Sequence, residues 1–139
     1  MIGLDTNVLA RYYIEDETDT EAAGQRLAAK RLVESGRPLM ICKTALLELE
    51  WVMRGYYAFE PAQVLSVMRH LLSIPHLTIE DRSAVEQAVA HCEAGLDFAD
   101  ALHYASYRTN CAKVASFDDR KFSRRAKKLG LSPAVILPD

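Results

Sequence analysis

The sequence predicts the three-layer α/β class, with a central, mainly parallel sheet covered on both faces. Two observations predict it. Short apolar runs alternate with stretches of helical periodicity, the pattern of strands buried on both sides and joined by crossover helices. The chain has 139 residues, 50% hydrophobic and 26% charged, which suits one compact domain over residues 1–139 with a single core.

Met1 to Leu4 is an apolar run ending at Asp5, read as a strand, and Asn7 to Ile14 has helical composition. Thr20 to Ser35 is a second helix, stopped by Gly36. Leu39 to Cys42 reads as a strand and Thr44 to Arg54 as a helix ended by Gly55. Pro61 suits a first helical turn, after which Val64, Val67, Met68 and Leu71 recur at amphipathic spacing until the chain meets Pro75. Leu77 to Ile79 is a short strand, and Val85, Ala88, Val89 and Cys92 mark a helix ended by Gly95. Asp97 to Arg108 is the next helix, Lys113 to Phe117 a strand, Asp119 to Leu129 a basic helix closed by Gly130, and Ala134 to Leu137 a last strand.

Composition excludes several classes. Acidic and basic residues interrupt every apolar run well short of the ~20 residues of a membrane helix. Met1 to Asp5 has no basic region before its first acid, so no secretory signal is expected and a cytoplasmic location is. Cys42, Cys92 and Cys111 have no zinc spacing and read as small core residues in a reducing compartment. The net charge of -2 argues mildly against a nucleic-acid partner, but the charge is divided. Glu15, Asp16, Glu17, Asp19 and Glu21 crowd one stretch; Arg120, Lys121, Arg124, Arg125, Lys127 and Lys128 crowd another. Both runs also suit plain solvated surface.

Open parallel sheets place ligands at the carboxyl ends of their strands, where Asp5 and Asp118 stand. Asp5 is equally suited to cap the following helix. Glu48 and Glu50 lie on an apolar helix, each about 100° from the centre of its apolar face; periodicity does not choose between them, and the pattern alone favours solvated flanks for both. Asp97 and Asp100 share one side of a first helical turn, where Asp97 suits an N-cap and Asp100 the positive end of the dipole. Of Asp118 and Asp119, one can cap the next helix and leave the other free. His70, His76, His91 and His103 share no ligand spacing; His91 and His103 read as helix-flank residues. No Ser or Cys is paired with a His and no Gly-rich phosphate loop occurs, so covalent catalysis is unsupported. Tyr12, Tyr13, Trp51, Tyr56, Tyr57 and Phe59 suit either a partner surface or the core.

In order along the chain, Leu4-Asp5-Thr6-Asn7, the glutamate of Ala45-Leu46-Leu47-Glu48, Asp97-Phe98-Ala99-Asp100-Ala101-Leu102 and Ser116-Phe117-Asp118 resemble the PIN-domain family. Within that family the chain looks like the toxins of VapBC-type toxin-antitoxin modules, over residues 1 to about 130. The resemblance implies a metal-dependent endoribonuclease whose acids are Asp5, Glu48, Asp100 and Asp118, and it prefers Glu48 to Glu50. It also implies that Thr6, Asn7, Asp97 and Ser116 orient the carboxylates, that a small antitoxin covers the acids, and that the chain dimerises. Asp119 beside Asp118 leaves the fourth acid open by one position.

If four carboxylates meet at about 6 Å with an effective dielectric near 20, each pair repels by roughly 3 kcal/mol, and together the pairs exceed a typical domain's stability. Protons or a divalent cation must offset that charge. An all-oxygen set suits Mg²⁺ or Mn²⁺. Activated water would then cut RNA phosphodiesters, by family analogy leaving 5′-phosphate and 3′-hydroxyl ends. Arg120, Lys121, Arg124 and Arg125 would hold backbone phosphates beside the acids. Two other readings compete. A receiver-type signalling domain has similar size and an acidic Mg²⁺ pocket, but it wants paired acids where this chain has Asp5-Thr6 and a phospho-accepting Asp where it has Cys42-Lys43-Thr44. A non-catalytic RNA- or protein-binding module would keep the fold without turnover, and a DNA-directed nuclease would use the same chemistry.

Overall fold

A computed structural model describes residues 1–118 and 121–139; Asp119 and Arg120 lie outside the described residues. The chain divides into two compact units, Met1–Arg82 and Ser83–Asp139. Among the described residues the strands are separated by helices and their pairings are parallel, the α/β class expected. Each unit carries its own ladder.

The first unit runs β1 (Ile2–Gly3), α1 (Thr6–Tyr13), α2 (Ala22–Val33), β2 (Leu39–Ile41), α3 (Lys43–Trp51), a π-helix (Val52–Tyr56), α4 (Pro61–Ser73) and β3 (Leu77–Ile79). Its sheet has the order β1-β2-β3, with Ile2 opposite Leu39 and Leu39 opposite Leu77. Parallel strands need helical crossovers, and the apolar stripes of those helices form the core. Leu9, Val33, Leu39, Ile41, Leu46, Leu49, Met53, Met68 and Leu71 are almost completely buried there. Pro61 occupies the first helical position of α4, behind Glu60, whose backbone N–H donates to Gln63 Oε1 at 2.8 Å.

Three details differ from expectation. Gly55 does not end a helix. The chain passes through it in the π-turn, where Tyr57 N–H bonds to Val52 O, and leaves near Ala58, whose φ is 55°. Cys42 is not in a strand or the core. It is exposed at the N-cap of α3, and Cys92 and Cys111 are half-buried. The β2–α3 handover forces residue 42 out of the sheet, and its position in the chain outweighs the thiol's apolar preference. Glu50 is not on a solvated flank. It is 4% exposed and accepts from Arg54 Nε at 2.8 Å.

The second unit contains α5 (Arg82–Glu93, its first residue belonging to the first unit), α6 (Phe98–Tyr107), β4 (Lys113–Ala115), α7 (Phe122–Lys128) and β5 (Ala134–Ile136). β4 pairs with β5, Val114 opposite Val135. Gly95, at φ 117°, ends α5 as expected: Leu96 N–H reaches back to His91 O, a closure that needs a residue free of β-carbon strain. Tyr104 anchors this unit. It is 1% exposed, its hydroxyl donates to Pro133 O, and its ring meets Phe122 edge-on at 5.6 Å. Among the described residues no helix is long and apolar enough to cross a membrane.

Because Tyr104 combines a filled volume with a buried hydrogen bond, the two contributions separate by substitution. Tyr104→Phe should lower unfolding free energy by roughly 1–2 kcal/mol by stranding the carbonyl, and Tyr104→Ala by about 3–5 kcal/mol, measured by denaturant titration.

Candidate active site

The first unit offers two of the predicted acids. Asp5 leaves the carboxyl end of β1 as the N-cap of α1, with extended backbone (φ -78°, ψ 158°). It holds the cap position without the cap bond: its carbonyl accepts from Val8 and Leu9, but its side chain caps nothing. Its carboxylate is therefore exposed and available at the sheet's carboxyl edge. Thr6 beside it is buried and Asn7 is exposed.

Glu48 is exposed, and among the described residues no hydrogen bond or ion pair engages its carboxylate. Glu50, two positions on, faces the interior and is committed to Arg54. Periodicity could not separate these glutamates; burial does. Two further acids, Glu80 and Asp81, follow β3 at the same edge and drew no attention in the sequence. Both are structural: Glu80 Oε1 accepts from the Lys43 backbone at 2.9 Å, and Asp81 pairs with Lys43 Nζ at 2.9 Å.

The second unit holds the other two acids. Asp97 caps α6, its Oδ2 accepting from Asp100 N at 3.2 Å. Asp100, half-buried one turn in, has no donor at its carboxylate among the described residues. Burial first, then the neighbouring Asp97 and Asp118 carboxylates, push the Asp100 carboxyl above its ordinary range, while His103 opposes the shift. Asp97 and Asp118 thus lie near enough to Asp100 to crowd it electrostatically. Ser116 Oγ accepts from the Asp118 backbone at 3.0 Å, and Asp118 Oδ1 accepts from Lys121 N at 2.9 Å. Asp118 thereby holds Lys121, the N-cap residue of α7, while remaining exposed.

His103 is the residue that sequence reasoning set aside. It sits one turn beyond Asp100 on α6, exposed and within electrostatic range of that carboxyl. The spacing of 97, 100 and 103 carried the signal, since residues three apart share a helix face.

Lys121, Arg124 and Arg125 are exposed, but Arg125 donates one guanidinium N–H to Gly95 O, so its charge also fastens α7. Arg120 and Asp119 fall outside the described residues. Two surface depressions, of about 770 and 680 Å³, are lined by none of the candidate acids. The first runs along α2 beside the acidic stretch. That stretch is stapled by structural bonds: Arg11 to Asp19 at 2.6 Å, Arg26 to Glu15 at 3.1 Å, and the Tyr57 hydroxyl to Asp16 at 2.8 Å. Chemistry rather than concavity therefore selects the site.

A divalent cation can be tested against these donors. Among the described residues no three His, Cys, Asp or Glu side chains are drawn tightly enough together to hold a metal ion. The donor chemistry nevertheless fits a hard cation. Asp100 is half-buried without a compensating donor, the exposed carboxylates of Asp97 and Asp118 act on it electrostatically, and these donors are oxygens.

The PIN domain family model matches residues 2–128 of the 139-residue chain, across both units, so the chain belongs to the PIN-domain family, whose members share a nuclease fold. No curated protein matches the chain.

Two measurements follow from this geometry. Glu50→Ala should cost roughly 1–3 kcal/mol by stripping Arg54 of a buried partner, whereas Glu48→Gln should stay within about 0.5 kcal/mol of the parent; both are read by denaturant unfolding. Asp100 carries a raised carboxyl, so its ionised form opposes folding above its folded pKa, and that cost disappears as pH falls below the unfolded value, ordinarily 3.8. Asp100→Asn should accordingly be more stable than the parent at pH 7, by on the order of 0.5 kcal/mol after solvent screening. The gap should close on acidification in thermal melts.

Proposed function

We propose that this member of the PIN-domain family is a divalent-metal-dependent endoribonuclease. In this reading residues 1–139 are one PIN-like domain, and the four motifs give Asp5, Glu48, Asp100 and Asp118 as its acid set. One observation carries the reading: Asp100 is a half-buried carboxyl crowded by Asp97 and Asp118 and met by no donor. Such a group is held at a cost in stability, and a bound cation is what would relieve it.

When bound, Mg²⁺ or Mn²⁺ would supply Lewis-acid activation of an attacking water and neutralise charge at phosphorus. The chain's own residues do the rest. Asp5, its side chain unused by the cap, and Glu48, unpaired where Glu50 is not, present oxygens from the first unit. Asp100 and Asp118 present oxygens from the second. Ser116 fixes the turn that carries Asp118, and Asp97 fixes the first turn that carries Asp100. Thr6 and Asn7 stand where the family resemblance puts small polar side chains that orient the carboxylates. Lys121 and Arg124, with Arg120 and Arg125, take the substrate's backbone phosphates beside acids that would otherwise repel them. Hydrolysis then adds water across the bond between phosphorus and the 3′-oxygen, leaving 5′-phosphate and 3′-hydroxyl ends, with no role for the 2′-hydroxyl as nucleophile.

The VapBC-like arrangement of the four motifs supports a finer reading: a toxin of a type II toxin-antitoxin module, cytoplasmic and homodimeric, neutralised by a cognate antitoxin that covers the acids and offers them a basic side chain.

The test is purified protein on end-labelled single-stranded RNA with Mg²⁺, Mn²⁺ or chelator. Cleavage should require the ion, and Asp5→Asn and Asp100→Asn should each reduce it by roughly 100-fold or more. Full activity in both variants, or in chelator, would overturn the proposal.

A further inference from the structure

The segment after Glu48 has an unusual division of its side chains. Leu49 and Met53 are completely buried, yet Trp51, the protein's only tryptophan, is 59% exposed and Tyr56 is 74% exposed. Trp51 stands three residues after Glu48, so both lie on one side of α3. The indole does not dangle. A β-carbon at Gly55 would meet Trp51 Cε2 at 3.7 Å and Nε1 at 3.8 Å, so the indole lies alongside the glycine while most of the residue stays exposed.

The π-helix contributes as well. In an α-helix, residues five apart diverge by about 140°. One extra residue in the turn, closed by Tyr57 N–H to Val52 O at 3.2 Å, swings Tyr56 back toward the side that carries Trp51. Arg54, whose side chain is 50% exposed while its Nε holds Glu50, brings a cation to the same segment. The aliphatic residues of this segment, Leu49 and Met53, point inward, so the surface beside the candidate acid Glu48 is left to the rings. What remains outside is aromatic rings set among polar groups with a guanidinium nearby, which is the composition that stacks unpaired bases.

We propose that Trp51 is a base-stacking residue for single-stranded RNA, holding an unpaired nucleotide of the substrate beside Glu48, with Tyr56 as a second ring on the same strand path. This rests on the ribonuclease reading and adds to it where the strand lies and why it must be single-stranded. Stacking accepts any base, so Trp51 contributes affinity and register while leaving base identity to other contacts.

The single tryptophan makes the test direct. Single-stranded RNA oligonucleotides are titrated into the full-length Asp100→Asn protein with Mg²⁺, following tryptophan fluorescence and the anisotropy of labelled RNA in parallel. Saturable quenching should track the anisotropy. Adding Trp51→Ala should weaken binding about 5- to 100-fold, Trp51→Phe should recover most of the loss, and the loss should persist at high salt, where phosphate contacts fade. In the active protein, Trp51→Ala should raise KM by a similar factor with a smaller change in kcat, and should melt like the parent. If Trp51→Ala binds RNA as the parent does, or binding proceeds without quenching, the proposal is overturned while the ribonuclease reading stands. If Trp51→Ala instead changes the sedimented mass and leaves RNA binding intact, the ring serves a protein interface and the proposal is also overturned. If the parent cleaves no RNA in either metal, the ribonuclease reading fails and this one with it.

Discussion

A parallel strand cannot be joined to its neighbour by a tight turn, so each strand of the first unit hands the chain to a helix, and the handover residue must be extended while its carbonyl opens that helix. Asp5 and Cys42 occupy two such positions, with ψ of 158° and 159°. Neither side chain makes the capping bond that its position allows. The Cys42 thiol instead meets Thr44 Oγ1 at 3.2 Å, whereas the ladder places the Asp5 carboxylate at the carboxyl edge with no capping bond. For a carboxylate at that address, this is the difference between a structural residue and a chemical one.

The other acids sort by the same criterion. Asp97, Glu80, Asp81, Asp19 and Glu50 each accept a hydrogen bond or pair with a cation, and their negative charge is accounted for within the fold. Glu48 and Asp100 have no such partner among the described residues. Asp118 stands between the two groups, bonding Lys121 N while contributing to the field that crowds Asp100. Of these, the half-buried Asp100 carries its unmatched charge at a cost in stability, one commonly found where proteins bind ions and do chemistry.

Helix α3 and its π-extension show how burial distributes roles along one helix. Leu46, Leu49 and Met53 fill the core, and Glu50 is carried inward with them and neutralised by Arg54. Glu48, Trp51 and Tyr56 are carried outward. The widened turn at Val52–Tyr56 lets the helix continue through Gly55 without ending there, so the outward side extends further than an α-helix stopped at Gly55 would allow.

The sequence by itself determined the alternation of strands and helices, the parallel class and the caps at Asp97, Pro61 and Gly95, because these depend on local periodicity and on φ preferences that each residue carries with it. It also singled out four acids as candidates, through their order and neighbours. Its periodicity could not separate Glu48 from Glu50, because both sit about equally far from the apolar face and only what packs against α3 decides which flank is sealed. It could not show that Asp5 leaves its cap bond unmade, that Gly55 continues a π-turn, that Cys42 is exposed, or that His103 shares the field of Asp100. Those outcomes depend on what surrounds each side chain, and desolvation and charge crowding are properties of that surrounding, fixed only when distant segments pack.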